Sequence, residues 1–153
     1  MSSDFENFPQ PPMVRLLGVA FDQFSTELNE RVAAAGYGDI RPGHGCVFGG
    51  IDPDGGSRLT DLAERAMMTK QSVGEVTSDL EQLGYVERVP DPDDGRAKLI
   101  RLTPKGRAAY KTGRRLIDEL ERDWAERFGE HHVTALRSAL EAVQAERFGA
   151  VPA

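Results

Sequence analysis

With 153 residues, 29% of them charged and 39% hydrophobic, the chain has the composition of an ordinary folded domain able to build a core without metal or disulfide. Its single cysteine, Cys46, leaves no internal disulfide, and no apolar run approaches the ~20 residues of a membrane helix, so a cytoplasmic protein with no membrane attachment is expected. The formal net charge of −6 is unevenly placed: Ser57 to Arg115 holds 12 Lys/Arg against 9 Asp/Glu, leaving an acidic frame around a mildly basic centre.

The opening Met1-Ser2-Ser3-Asp4-Phe5-Glu6 has neither a basic nor an apolar stretch, so no secretion leader is expected there. Residues 1–12 hold three prolines and read as an extended arm. From Met13 to Ala35, Leu17, Phe21, Phe24, Leu28 and Val32 recur at threes and fours, one apolar helix stripe, and Gly36-Tyr37-Gly38 ends it. Arg41 to Ile51 is expected as a short helix despite its glycines, and Asp52-Pro53-Asp54-Gly55-Gly56 as a loop.

The centre carries more information. Thr60 is expected to cap a short helix with Leu62, Ala63 and Ala66 facing inward. Thr69 caps a second helix whose buried stripe is Val73, Val76, Leu80 and Leu83. Gly84 fits the left-handed residue after that helix, with Tyr85 packing back over the last turn. Two helices joined by a tight turn make a helix-turn-helix. Val86–Val89 and Lys98–Leu102 read as strands around a turn-rich segment from Pro90 to Arg96, the wing of a winged helix. Thr103-Pro104 opens a long helix marked by Tyr110, Gly113, Ile117, Leu120, Trp124 and Phe128. Gly129 breaks it, and Glu130 to Phe148 forms a last helix with Val133, Leu136, Leu140 and Val143 on one face.

The expected fold class is mainly α with a small β-hairpin wing: a winged helix-turn-helix plus a helical dimerisation domain. The expected division is 11–51 for N-terminal dimerisation and ligand helices, 57–103 for the DNA-binding domain, and 104–148 for C-terminal dimerisation helices.

A helix-turn-helix reads the major groove with the outward face of its second helix. Opposite the buried stripe lie Gln71, Gly74, Glu75 and Ser78, joined at the helix start by Thr69, Lys70 and Ser72. Gln71 can pair with an adenine edge and Glu75 can accept from cytosine, while Lys70, Ser72 and the helix N-terminus suit phosphate. Gly74 costs about 1 kcal/mol against alanine in a helix interior, and close approach to the groove is one use for it. The same positions also suit a merely solvated face. At the wing tip Arg96, held by Asp94, can enter a narrow minor groove, and Lys98 can meet phosphate.

Leu62-Ala63-Glu64-Arg65-Ala66, Met68-Thr69-Lys70-Gln71-Ser72-Val73 and Leu80-Glu81-Gln82-Leu83-Gly84-Tyr85-Val86-Glu87-Arg88 resemble the MarR family of bacterial regulators. So does Asp94-Gly95-Arg96-Ala97-Lys98-Leu99-Ile100-Arg101-Leu102-Thr103-Pro104-Lys105-Gly106-Arg107, with that family's Asp-x-Arg wing followed by Leu-Thr-x-x-Gly. The resemblance spans about Leu59 to Arg107. It implies a homodimer on double-stranded DNA with a near-palindromic operator, and repression relieved by a small effector between the dimer helices and the winged helix. An aromatic or apolar effector is expected against Phe21, Phe24, His44, Val47 and Phe48, which serve equally well as filled core. The chain departs from the family in carrying Glu75 and Asp79 where an arginine is frequent, which shifts phosphate binding to Lys70 and the wing.

No cofactor is expected. Cys46 is a candidate oxidant-sensing thiol or an inert one. His131-His132 has few ligand types nearby, so no metal site is expected there. No nucleophile elbow or phosphate loop points to an enzyme. The competing reading is a winged helix for protein–protein contact without DNA.

Overall fold

The computed structural model of the chain describes residues 10–149. Most of the expected N-terminal arm, with the Met1–Glu6 stretch, lies outside them. The chain divides into two compact units, Met1–Arg114 and Arg115–Ala153.

In the first unit, α1 (Met13–Val32) passes into a wider turn over Ala33–Tyr37, where Gly36 takes a φ of 98° that a side chain would resist. The expected glycine stop is therefore present, but the regular helix ends sooner. The apolar stripe of α1 is not buried in this chain: Leu17 is 43% and Phe21 69% exposed, and Met13, Val14, Leu16 and Val19 are exposed beside them. α2 (Pro42–Phe48) starts on a proline and sends His44, Val47 and Phe48 inward.

Next, β1 (Ser57–Arg58) runs straight into α3 (Leu59–Ala66). This corrects the helix start expected from the sequence. Arg58, still extended at φ −72° and ψ 149°, occupies the cap position without a side-chain capping bond, and Thr60 falls inside the first turn. Leu59 explains the earlier start, because it packs against the core from the first helical position. Leu62 and Ala63 are buried as expected, and Ala66 only partly. Met67 ends α3 in the left-handed region, φ 53°.

α4 (Lys70–Gln82) begins at Thr69, whose hydroxyl oxygen accepts from the Ser72 backbone N–H at 3.1 Å. Val73 and Leu80 are fully buried, each stabilising the fold by on the order of 2 kcal/mol. Val76 and Leu83 are partly buried against the same core, and Thr77 is buried beside them. Gly84 turns left-handed at φ 82°, and the Tyr85 N–H returns to the Leu80 carbonyl at 2.9 Å. The start of α5 (Pro104–Phe128) closes over this helix end. Thr103 donates its hydroxyl to the Gly84 carbonyl, and the Lys105 ammonium donates to that of Leu83. Thr103 also accepts from the Gly106 N–H at 3.0 Å, so it caps α5 as expected.

The wing is a three-stranded antiparallel sheet in the order β1-β3-β2, rather than a hairpin alone. β2 (Val86–Asp91) and β3 (Asp94–Leu102) run longer than expected and pair from Val86↔Leu102 to Asp91↔Asp94, with an irregularity between Pro90 and Asp91. β1 adds Ser57↔Ile100 and Arg58↔Leu99. One core results, joining Val47, Phe48 and Ile51 to Leu62, Val73, Leu80, Tyr85, Val86, Ile100, Leu102 and Ala109.

In the second unit, Leu116 and Leu120 are the buried positions of α5, one helical turn apart, and Ile117 is half-buried. Trp124 meets Phe128 edge-on at 5.3 Å between centroids. Gly129, at φ 99°, separates α5 from α6 (Glu130–Phe148), and an Arg137–Glu121 ion pair joins the two helices. Leu136, Leu140 and Val143 are 41%, 47% and 65% exposed.

Candidate nucleic-acid interface

The solvent face of α4 is set by its burial pattern. With Val73, Thr77 and Leu80 turned into the core, Gln71 and Glu75 point the opposite way, and both are exposed. The Gln71 amide donates to the Glu75 carboxylate at 3.4 Å, so each can orient the other. Lys70 is exposed at the helix start, where the backbone N–H groups that the Thr69 cap leaves open and the positive end of the helix dipole favour an anion. The Thr69 and Ser72 hydroxyls bond each other at 2.9 Å, which fixes that start.

Gly74 is half-buried on the flank. A Cβ there would come no nearer than 4.0 Å to any neighbour, the Leu59 side chain, so packing does not demand the glycine. Ser78 is also half-buried and already engaged. It donates to the Gly74 carbonyl at 2.9 Å and accepts from the Arg88 guanidinium at 3.1 Å.

Arg88 is a residue that sequence reasoning passed over. Standing on β2, it also meets Glu81 at 3.3 Å, so it places a cation beside the C-terminal half of α4. Arg41, likewise unforeseen, reaches Asp79 at 2.8 Å from the start of α2. The acidic residues that distinguish this helix are thus partly offset: Asp79 and Glu81 have arginine partners, while Glu75 bonds a neutral amide.

On the wing, the Asp94 carboxylate accepts from the Arg96 backbone N–H at 3.1 Å. Asp94 therefore holds the backbone that carries Arg96, and the Arg96 side chain stands exposed. Lys98, paired in register with Pro90, is exposed too. Arg101 is committed to its cross-strand neighbour Glu87 at 2.8 Å. At the wing's base, Asp91 is only 5% exposed yet stays ionised. The Asp93 backbone N–H, and then the Arg58 guanidinium, hold its pKa below the usual carboxylate value.

The five residues expected around an effector divide by burial. Val47 and Phe48 fill the core, with Phe48 edge-on to Tyr85 at 6.0 Å and 6.1 Å from Tyr110. His44 is buried; its Nδ1 accepts from the Arg41 backbone N–H at 3.1 Å, and its Nε2 lies 3.6 Å from Asp79. Phe24 is half-buried, and Phe21 is exposed on α1. Cys46 is exposed. Among the described residues, no group of three or more His, Cys, Asp or Glu side chains is placed to hold a metal ion. No described helix is long and apolar enough to cross a membrane.

A capped recognition helix behind a left-handed turn, followed by a sheet that projects an arginine, defines a winged helix-turn-helix. Residues 40–97 match the MarR family model. Solved structures of low identity share the fold. The apo form of MarR from E. coli is 23% identical, with 88% of this chain and 98% of that one covered and a TM-score of 0.70. A cysteine-to-serine mutant of the same protein in complex with operator DNA is 23% identical, with 93% and 99% covered and a TM-score of 0.74. CouR from Rhodococcus jostii, bound to p-coumaroyl-CoA, is 20% identical, with 99% and 100% covered and a TM-score of 0.73. Comparison with curated proteins gives no match.

Proposed function

We propose that the chain binds double-stranded DNA in a sequence-specific way, as a homodimer on a near-palindromic operator, and represses transcription until a small effector releases it. The observation that carries this reading is the pairing of two exposed groups on rigid supports. Lys70 and Gln71 stand at the capped start of α4, and Arg96 stands at the start of β3, where Asp94 holds its backbone. Gln71 and Glu75 read base edges in the major groove, with Gly74 and Ser78 on the flank. Lys70, Ser72 and Lys98 meet phosphates, and Arg96 enters the minor groove. The operator complex of the E. coli relative supports the DNA partner.

The second copy covers the apolar faces that one chain leaves open. Leu17 and Phe21 of α1, and Leu136, Leu140 and Val143 of α6, are each more than 40% exposed, more apolar surface than an isolated chain favours. On this reading, 11–51 serves dimerisation and effector binding, 104–148 serves dimerisation, and 57–103 binds DNA. For the effector, the CouR complex supports an aromatic acid or its coenzyme A thioester. Phe21 and Phe24 are the candidates for its walls that the core does not consume, and His44 is the polar candidate.

One observation favours protein contact instead: Glu75, at the centre of the reading face, is an exposed carboxylate whose hydrogen-bond partner is a neutral amide rather than a cation. A mobility shift with the DNA upstream of the coding sequence, at two salt concentrations, separates the readings. Retention of a specific shifted band at the higher salt supports DNA reading. No shift at either salt favours protein contact.

A further inference from the structure

From the Arg58–Asp91 tie across the wing sheet, we infer that Arg58 is a positioning residue that sets how the wing presents Arg96. The inference rests on the DNA-reading proposal above and extends it to a residue on another strand.

Arg58 belongs to β1, an edge strand of two residues. It pairs with Leu99 of the central strand, and Leu99 pairs on its other side with Val89 of β2. Alternation along β2 puts Val89 and Asp91 on one face, so a long side chain from Arg58 can cross β3 and reach Asp91 at the far edge. It does so with two nitrogens: Nε lies 2.7 Å and the terminal nitrogen 2.5 Å from the same carboxylate oxygen.

Asp91 stands where the strand register breaks, at the entrance to the turn. Its other oxygen accepts from the Asp93 backbone N–H at 2.9 Å. From there the chain passes to Asp94, which holds the Arg96 N–H. Hydrogen bonds at Asp91 and at Asp94, joined by the chain through Asp93, thus link the edge strand to the start of β3, which bears Arg96. Without Arg58, a carboxylate that is 5% exposed loses its cation and must move toward water, and the Asp93 N–H loses a fixed acceptor. The turn then samples other shapes, and the start of β3 no longer presents Arg96 in one direction.

A double-mutant cycle on operator affinity separates positioning from direct contact, since Arg58→Met acts through Arg96 only if the two are coupled. Arg58→Met is expected to weaken operator binding about tenfold in the wild-type background and less than about twofold in the Arg96→Ala background. Arg58→Lys, which keeps the charge and should keep the fold, is expected to fall between wild type and Arg58→Met. In the free protein, the Asp93 amide should exchange faster in Arg58→Met than in wild type.

Equal losses in both backgrounds, or no loss in either, overturn the inference. If wild-type protein binds no duplex at all, the DNA-reading proposal falls by itself. Asp93 exchange then decides the wing tie: acceleration upholds it, and an unchanged rate overturns it.

Discussion

The Arg41 guanidinium lies 2.8 Å from the Asp79 carboxylate, joining the start of α2 to the recognition helix across 38 residues of sequence. Both side chains are substantially exposed, so the pair adds at most about 1 kcal/mol to stability. Its consequence is electrostatic: an acidic group on a helix proposed to lie near phosphates is offset by a neighbouring element. Arg41→Ala should therefore weaken duplex binding severalfold at low salt, with the gap narrowing as salt rises. Titrations at two ionic strengths check this. A salt-independent loss would point to a different role for Arg41.

Tyr85 is buried at the end of α4, and its hydroxyl donates to Asp39 at 2.6 Å. Burial, reinforced by that carboxylate, raises its pKa well above the ordinary value near 10. A folded-state pKa above the unfolded one gives a contribution that is complete below pH 10 and declines as pH rises beyond it. Urea unfolding should show stability falling above pH 10, and Tyr85→Phe should flatten that fall. At pH 7 the same substitution should cost about 1.5–3 kcal/mol, the range for a hydrogen bond to a charged group.

Of the glycines, Gly106 leaves the least room for a side chain. A Cβ there would overlap the Tyr85 carbonyl oxygen and lie 2.9 Å from its carbon. That carbonyl also accepts from the Thr103 N–H, so it cannot swing away without breaking the α5 start. Gly106→Ala should cost ~3 kcal/mol or more, measured by thermal unfolding. Gly74→Ala, which meets nothing closer than 4.0 Å, should leave stability unchanged or raised by up to about 1 kcal/mol.

Leu136 and Leu140 remain exposed on α6 although they carry its apolar face. A glutamate at either should leave the fold of the winged helix unchanged and shift the protein to monomers in sedimentation at micromolar concentration. A wild-type protein that sediments as a monomer there would contradict the dimer.

The parts legible in the sequence are those built from local chemistry. Thr69 before an apolar stripe, Gly84 after it and Thr103-Pro104 at the next helix each signal a boundary within a few residues, and each lies where its chemistry places it. β1 is not legible, because two residues have no periodicity and become a strand only by pairing with Leu99 and Ile100. The Thr60 cap fails for the same reason: the strand hands directly to α3, and the core takes Leu59 into the first turn. Within the site, exposed Lys70, Gln71 and Arg96 follow from helix phase and turn chemistry. The partners Arg41, Arg58 and Arg88 do not, since each reaches across the fold to an acid or hydroxyl that no spacing rule connects to it.

The central claim is that this winged helix reads DNA, and one series of titrations tests it: wild type, Gln71→Ala and Arg96→Ala, on operator and scrambled duplex, across a range of salt. Gln71→Ala should cost about 1–3 kcal/mol at the preferred base and little on scrambled DNA. Arg96→Ala should weaken binding to both duplexes and lower the salt slope by roughly one for each phosphate the variant no longer neutralises. If both variants bind operator as tightly as wild type, with the same salt slope, the face formed by α4 and the wing is not a DNA reader.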